Sequence, residues 1–195
     1  MASQLEMCNT ALGLLGEMPI DDLTDTEDPK AVKCLVFWSM VLDEVLESHD
    51  WTFATARAKL QQDAIIPAYG FDYAYPVPSD FIRILAATTG DYDVENDSGA
   101  QVYYRFEGGR ILSNAENMNL KYVYRVAEPG RFSPLFALAV SGALAVKLAA
   151  ALTKSASTLQ GMTQLAELWL SRAKASDNHQ AGIETQRRSS WNDAR

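Results

Sequence analysis

Apolar residues near the start of the chain recur with the period of an α-helix. They share one face of a helix predicted from about Ser3 to Leu15, and they are Leu5, Cys8, Leu12 and Leu15. Gly16 is suited to the C-terminal cap, and Pro19 prevents the helix from continuing.

A second helix is predicted to begin at Asp28, whose carboxylate can cap free backbone N–H groups while Pro29 occupies the first helical position. Its apolar stripe is expected to face the first helix. The stripe comprises Ala31, Leu35, Trp38, Leu42 and Val45. Trp38 is therefore interpreted as a core residue and not as a ligand platform.

The last third of the chain returns to a helical pattern. Ser133 and Pro134 form a start signal for an alanine-rich helix that reaches about Thr153. Its polar Lys147 and its many alanines predict a buried core helix and not a membrane span. A final helix is predicted from about Ser157, with an apolar side formed by Leu159, Met162, Leu165, Trp169 and Ala173.

The pattern between Asp63 and Glu128 has the period of two that is typical of strands. Gly108 and Gly109 predict a hairpin turn within VYYRFEGGRIL. The segment LKYVYRV (120–126) alternates, which places Leu120, Tyr122, Tyr124 and Val126 on one face of a strand and Lys121, Val123 and Arg125 on the other.

These elements predict an α+β fold in one domain, residues 1–195. We expect a mainly α-helical bundle with an inserted small antiparallel β-sheet region and an extended C-terminal tail. Helices are assigned to about 3–60 and 133–182, the β-rich insertion to about 63–128, and the tail to about 183–195.

The formal net charge of −8 disfavours a surface built to hold duplex DNA or anionic lipid. Acids are concentrated in residues 17–50, which hold ten of them against Lys30 and Lys33. The two cysteines, Cys8 and Cys34, both lie on predicted helices, so we expect reduced, packed thiols. The N-terminal residues lack the pattern of a signal peptide.

Candidate chemistry is sparse, and we expect neither an enzyme nor a bound cofactor. The acidic loop with Asp91, Asp93, Glu95 and Asp97 could in principle hold a hard cation, but the calcium-loop template fails there, because Asn96 occupies its glycine position. Asp72 and Asp80, flanked by tyrosines, are the best pair for a tail-associated polysaccharide hydrolase, which is the alternative function.

Several stretches together resemble one family. They are NTALGLLGEMPIDDL (9–23), LESHDWTFATARAKL (46–60), YAYPVPSDFIRIL (73–85), GGRIL (108–112) with LKYVYRV (120–126), and FSPLFALAVSGALAVKLAAALT (132–153). Their order and spacing are similar to those of the tail tubular protein A family, the head–tail adaptors, or connectors, of short-tailed bacteriophages. The resemblance spans most of the chain.

The resemblance implies a virion structural protein of the tail, made in the host cytoplasm. Such adaptors form a ring, twelve copies in the family, between the portal protein and the tail nozzle protein, and DNA passes through the ring without specific binding or any membrane contact. C-terminal segments of adaptors can clasp the portal. We therefore expect the arginines and tryptophan of GIETQRRSSWNDAR (182–195) to dock there, namely Arg187, Arg188, Trp191 and Arg195.

Overall fold

The helices begin where side chains can satisfy free backbone N–H groups. The computed structural model describes residues 2–93, 98–153 and 155–180, with side chains at all of these except 91–93 and 98. Helix α1 spans Gln4–Leu14, α2 Pro29–Glu47, α3 Pro134–Leu152 and α4 Ala156–Gln180. The predicted caps are confirmed, because Asp28 accepts from the Lys30 amide at 2.8 Å and Ser133 from the Phe136 amide at 3.2 Å.

Helix α1 has a capping box that the sequence analysis did not identify. The Glu6 amide donates to Ser3 Oγ at 3.1 Å, and the Ser3 amide donates to Glu6 Oε2 at 2.7 Å. This reciprocal pair satisfies two otherwise free donors and fixes the start of the helix.

In the described part of the chain, seven strands form two antiparallel sheets, which we call sheet A and sheet B. The strands are β1 Thr55–Leu60, β2 Tyr73–Pro76, β3 Phe81–Asp93, β4 Ser98–Gln101, β5 Tyr104–Glu107, β6 Arg110–Ser113 and β7 Met118–Tyr124. Sheet A has the order β1-β7-β3-β4, and sheet B has the order β2-β6-β5. The predicted hairpin is confirmed, since Gly108 and Gly109 join β5 to β6 with φ of 57° and 73°.

Sheet A lies between the helices and sheet B. On β7, Val123 packs into the helical core, whereas Leu120 and Tyr122 pack into a second core that Tyr75 and Ile111 of sheet B complete. The predicted alternation along β7 therefore separates two buried faces and not a buried face from a solvated one. The molecule has three layers: helices, sheet A and sheet B.

The expectation of a mainly helical bundle with a small sheet is wrong. The fold is α+β with about 47% helix and 22% strand, and its two sheets form two of its three layers. The assignment of helix through residue 60 is also wrong at its end, because residues 55–60 form β1 and pair with β7 from Thr55↔Val123 to Leu60↔Met118. Ala56, Ala58 and Leu60 of this strand pack toward sheet B.

Helix α3 is at the centre of the helical layer, packed against α1, α2 and α4. It is long and apolar enough to cross a membrane, with a mean hydropathy of 2.1 over the most apolar window, but 56% of that window is buried inside the protein. Its predicted place in the core is confirmed by the buried side chains of Phe136, Val140, Leu144 and Leu148.

Candidate interaction surfaces

Helix α2 is apolar on two sides. Its core side includes Cys34, Val41 and Val45, all buried. Its opposite side carries four apolar residues exposed by 38 to 66%, which we call the α2 face: Val32, Leu35, Val36 and Met40. The prediction that Leu35 belongs to the core stripe is therefore wrong, whereas Trp38 does pack against the core.

The spacing of the α2 face makes it one continuous strip. Val32, Val36 and Met40 follow one another at intervals of four, so they lie above one another along the helix. A helix that is apolar all round normally has a partner on each side. The sequence carried this signal, but the predicted stripe included Leu35 alone among these four residues.

A second exposed apolar surface lies on the outer side of sheet B. Residues 63–72 form a loop, called the 63–72 loop, over the side of the sheet that carries Ala74 and Leu112. Its tip presents Ile65, Ile66 and Tyr69, which are exposed by 64, 72 and 90%. The sequence has no charged residue between Asp63 and Asp72, and this uncharged, partly apolar run is the sequence signal for the exposed apolar tip.

Ion pairing and hydrogen bonds hold the base of the 63–72 loop. Arg110 Nε lies 2.7 Å from Asp63 Oδ2, and the Asp63 amide donates to the Ala74 carbonyl oxygen at 2.7 Å. At the other end, the Asp72 amide donates to Asn114 Oδ1 at 3.0 Å. The hydrogen bond from Arg110, followed by that from the Ile65 amide, lowers the pKa of Asp63 below its ordinary 3.8.

Aromatic side chains extend this surface beside the loop. Phe71 stacks on Tyr103 with ring centroids 6.0 Å apart, and the Arg105 guanidinium lies 5.9 Å from the Tyr103 ring centroid. Tyr103 is itself largely exposed. An open groove of about 360 Å³ runs between the loop and the sheet. Exposed aromatic residues beside an arginine are the residue types that most often anchor protein partners.

A buried carboxylate fixes the end of α4. Asp177 is only 7% exposed and accepts from the Thr52 amide at 3.0 Å and from Thr52 Oγ1 at 2.7 Å. His49 Nε2 lies 3.5 Å from Asp177 Oδ2. The contact joins α4 to the chain between α2 and β1, and it was not anticipated from the sequence because 125 residues separate Thr52 from Asp177.

The two carboxylates proposed for sugar hydrolysis have different surroundings. Asp72 precedes β2, and its amide donates to Asn114 Oδ1. Asp80 follows β2, and its carboxylate accepts from the Tyr122 hydroxyl at 3.2 Å. Burial, together with the charge of Asp80, raises the pKa of Tyr122 to about 12.

Among the residues that the structure describes with side chains, no group of three or more His, Cys, Asp or Glu could hold a metal ion. Asp91 and Asp93 lie on β3, and Glu95 and Asp97 fall outside the described residues. A second open groove, of about 520 Å³ between the ends of β1 and β7, has one acid, Glu116, among the lining residues that are described with side chains.

The predicted portal-docking residues Arg187, Arg188, Trp191 and Arg195 lie outside the described residues.

A scan against models of known protein families found no match to the chain, and a search of curated proteins found no similar sequence.

Proposed function

We propose that the protein is a head–tail adaptor of a short-tailed bacteriophage, which assembles as a ring between the portal and the tail nozzle and extends the DNA exit channel. The five stretches that resemble the tail tubular protein A family support this proposal. The observation that carries it furthest is the presence of two exposed apolar surfaces on different layers, the α2 face and the 63–72 loop.

An adaptor subunit needs separate surfaces for different neighbours. The α2 face belongs to the helical layer and the 63–72 loop covers the outer side of sheet B, so sheet A lies between them. A partner on one surface leaves the other accessible. We assign the α2 face to the helical contacts of the ring, with the neighbouring subunit or the portal, and the loop tip to the nozzle.

A ring requires a head-to-tail contact between two different patches of the same chain. The apolar α2 face is suited to one half of that contact, since it gains free energy of roughly 25 cal/mol for each Å² of apolar surface removed from water. In this assignment Asp80 has a structural role, since its carboxylate accepts from the Tyr122 hydroxyl.

Mixing the protein with the portal protein of the same phage tests the proposal. We expect rings on the portal by electron microscopy, and Val36→Asp should abolish them because it buries an unpaired charge. Ser171→Asp adds the same charge at an exposed polar position of α4, away from the α2 face, and is the matched control. Normal ring formation by Val36→Asp would contradict the assignment of this face.

The loop assignment has its own variant. Tyr69→Asp should leave portal rings intact and prevent nozzle attachment, whereas Ala68→Asp places the charge on the neighbouring exposed residue of the same loop. Nozzle attachment that is equally sensitive to both variants would show that charge alone, and not the Tyr69 side chain, determines the result.

The C-terminal residues Arg187, Arg188, Trp191 and Arg195 remain proposed portal contacts. Arginines can pair bidentately with acids, and tryptophan is a frequent anchor of interfaces. Deletion of residues 185–195 should leave the melting temperature unchanged and abolish portal binding. Normal binding by the truncated chain would rule out this docking role.

A further inference from the structure

Strand β5 lies at the edge of sheet B, whose order is β2-β6-β5. In the described part of the chain, no strand pairs with the other side of β5. Three of its four residues are exposed, namely Arg105, Phe106 and Glu107. The outward N–H and C=O groups of an exposed edge strand can pair with a strand from another chain. This edge is therefore a candidate contact surface that is separate from the α2 face and from the tip of the 63–72 loop.

The hairpin determines which backbone groups of β5 point away from sheet B. Both glycines of its two-residue turn have positive φ, and Glu107 and Arg110 on either side of the turn form a hydrogen-bonded pair. Hydrogen-bonded and non-hydrogen-bonded pairs alternate along an antiparallel ladder. Phe106 therefore belongs to a non-hydrogen-bonded pair, and its N–H and C=O point to the free edge.

The side chains of β5 alternate between the two faces of sheet B. Phe106 lies on the side of sheet A, where its ring centroid is 5.3 Å from that of Phe81, and 46% of the residue is exposed. Arg105 and Glu107 lie on the outer side, opposite residues of β6 that line the groove under the 63–72 loop. The edge thus presents a base and an acid on one face, with an exposed aromatic residue between them.

We propose that β5 is a self-complementary contact, at which two copies of the chain pair antiparallel through Phe106 and join their B sheets. The outward N–H and C=O of Phe106 then exchange hydrogen bonds with those of Phe106 in the other copy. In this register Arg105 of each copy is directly opposite Glu107 of the other, which gives two pairs of opposite charge. Sliding one strand by two residues would place Arg105 opposite Arg105, or Glu107 opposite Glu107. Charge therefore selects the register.

This contact differs in kind from the contact of the proposed ring. Pairing through the same surface on both copies closes with two chains, whereas a ring requires two different surfaces. The edge of β5 is short, so the contact is smaller than a standard interface of about 1,600 Å² and the dimer is weak. The pairing does not rest on the adaptor function, because it is a property of the free subunit.

Sedimentation of the full chain carrying Val36→Asp tests the pairing, because this substitution removes the α2 face from the measurement. We expect a monomer–dimer equilibrium at protein concentrations up to about 1 mM. Arg105→Glu and Glu107→Arg should each raise the dissociation constant about tenfold, since each converts both attractions into repulsions. An equal mixture of the two variants should regain the dimer, because both pairs between positions 105 and 107 then join opposite charges.

Cross-linking provides a second readout. Phe106→Cys places two thiols opposite one another with about 5.5 Å between their Cα atoms, which is within the range that a disulfide spans. The native Cys8 and Cys34 are buried free thiols and do not compete. Oxidation should link Phe106→Cys chains into dimers faster than Tyr69→Cys chains, whose new thiol is also exposed but lies in the 63–72 loop.

Three outcomes would overturn the proposal. The first is a Val36→Asp protein that stays monomeric at every concentration. The second is a dimer that the two charge variants leave unchanged or that their mixture fails to restore, which would place the contact elsewhere on the subunit. The third is equal rates of cross-linking at positions 106 and 69. None of these measurements involves the portal or the nozzle, so failure of this pairing is distinguishable from failure of the adaptor proposal.

Discussion

At the residue scale, Asp177 shows how one carboxylate can hold distant segments together. Its oxygens accept from both the amide and the hydroxyl of Thr52, and His49 lies beside them. The ring of His49 packs edge-on against Trp51, whose Nε1 donates to the Val45 carbonyl oxygen at 2.9 Å. The turn after α2 is therefore tied both to α2 and to the last turns of α4.

We predict that Asp177→Ala destabilises the protein by about 2 to 3 kcal/mol, because the Thr52 amide and hydroxyl lose their acceptor in a largely buried place. Asp177→Asn should cost less, since its amide oxygen can still accept. Chemical denaturation measures both, and the exposed neighbour Asn178→Ala is the control. An Asp177→Ala variant as stable as the control would mean that solvent replaces the lost acceptor.

A second residue-scale prediction concerns the pH dependence of the 63–72 loop. The pKa of Asp63 is lower in the folded protein than its ordinary 3.8. Its contribution to stability is therefore fully present above about pH 4 and is lost as the pH falls through the lowered pKa. The Ile65 amide, which donates to Asp63 Oδ1 at 3.1 Å, reports this titration by NMR.

Arg110→Gln provides the comparison for that titration. Without the guanidinium, the Asp63 midpoint should rise toward its ordinary value, and the loop base should loosen at a higher pH than in the wild type. Equal midpoints in the two proteins would show that Arg110 does not stabilise the ionised carboxylate.

At the element scale, the contact between α3 and α4 depends on a glycine. A Cβ at Gly142 would lie 3.1 Å from Trp169 Cε3 and 3.2 Å from the Ala166 Cα. These distances are tighter than ordinary contacts, so even a methyl group requires its neighbours to shift by a few tenths of an ångström, and a larger side chain requires more. Gly161 in α4, by contrast, has nothing within 4 Å of such a Cβ.

We therefore predict opposite effects for two substitutions. Gly142→Leu should destabilise the protein by about 1 to 3 kcal/mol through overpacking. Gly161→Ala should stabilise it by up to about 1 kcal/mol, because alanine has the higher helix propensity. Thermal denaturation of both variants checks the pair. Tolerance of leucine at position 142 would show that α4 can move away from α3 at little cost.

The sequence predicted the helices better than the sheets, for a physical reason. Helix starts carry local signals such as Asp28 with Pro29 and Ser133 with Pro134, and these were recognised. Strand β1 carries none, since TARAKL has neither a turn residue nor a strong β-former except Thr55. Its conformation comes from pairing with β7, about 60 residues further along the chain.

The candidate surfaces were harder to predict than the core. Leu35 and Leu42 belong to the same predicted stripe of α2, yet Leu35 is exposed and Leu42 is buried, because apolar residues on both sides of the helix leave the edge of its buried face undetermined by the sequence. Tyr69 lies in a loop whose base is held by the ion pair between Asp63 and Arg110, which are far apart in the sequence. Both features are products of tertiary packing.

At the scale of the whole molecule, charge and apolar surface act in opposite directions on assembly. The chain carries a net charge of −8, so copies repel one another. Three acids of the 17–50 segment already pair within the subunit: Asp43 with Arg125 at 2.8 Å, Glu44 with Lys147 at 3.0 Å, and Asp50 with Arg83. They are less available for pairing with a neighbour, which leaves the apolar α2 face as the stronger attraction.

Self-association should therefore increase with ionic strength. The repulsion between charges is long-ranged at low salt, where the Debye length is about 30 Å at 0.01 M. The Debye length falls to about 8 Å at 0.15 M, so the repulsion then acts only over short distances. Added salt thus weakens the repulsion between like-charged subunits while the apolar attraction persists. Sedimentation measurements across this range should show larger species at higher salt for the wild type and for Ser171→Asp, but not for Val36→Asp. If added salt instead dissociates the assembled species, ion pairs between subunits dominate the contact, and the α2 face is not its main source of attraction.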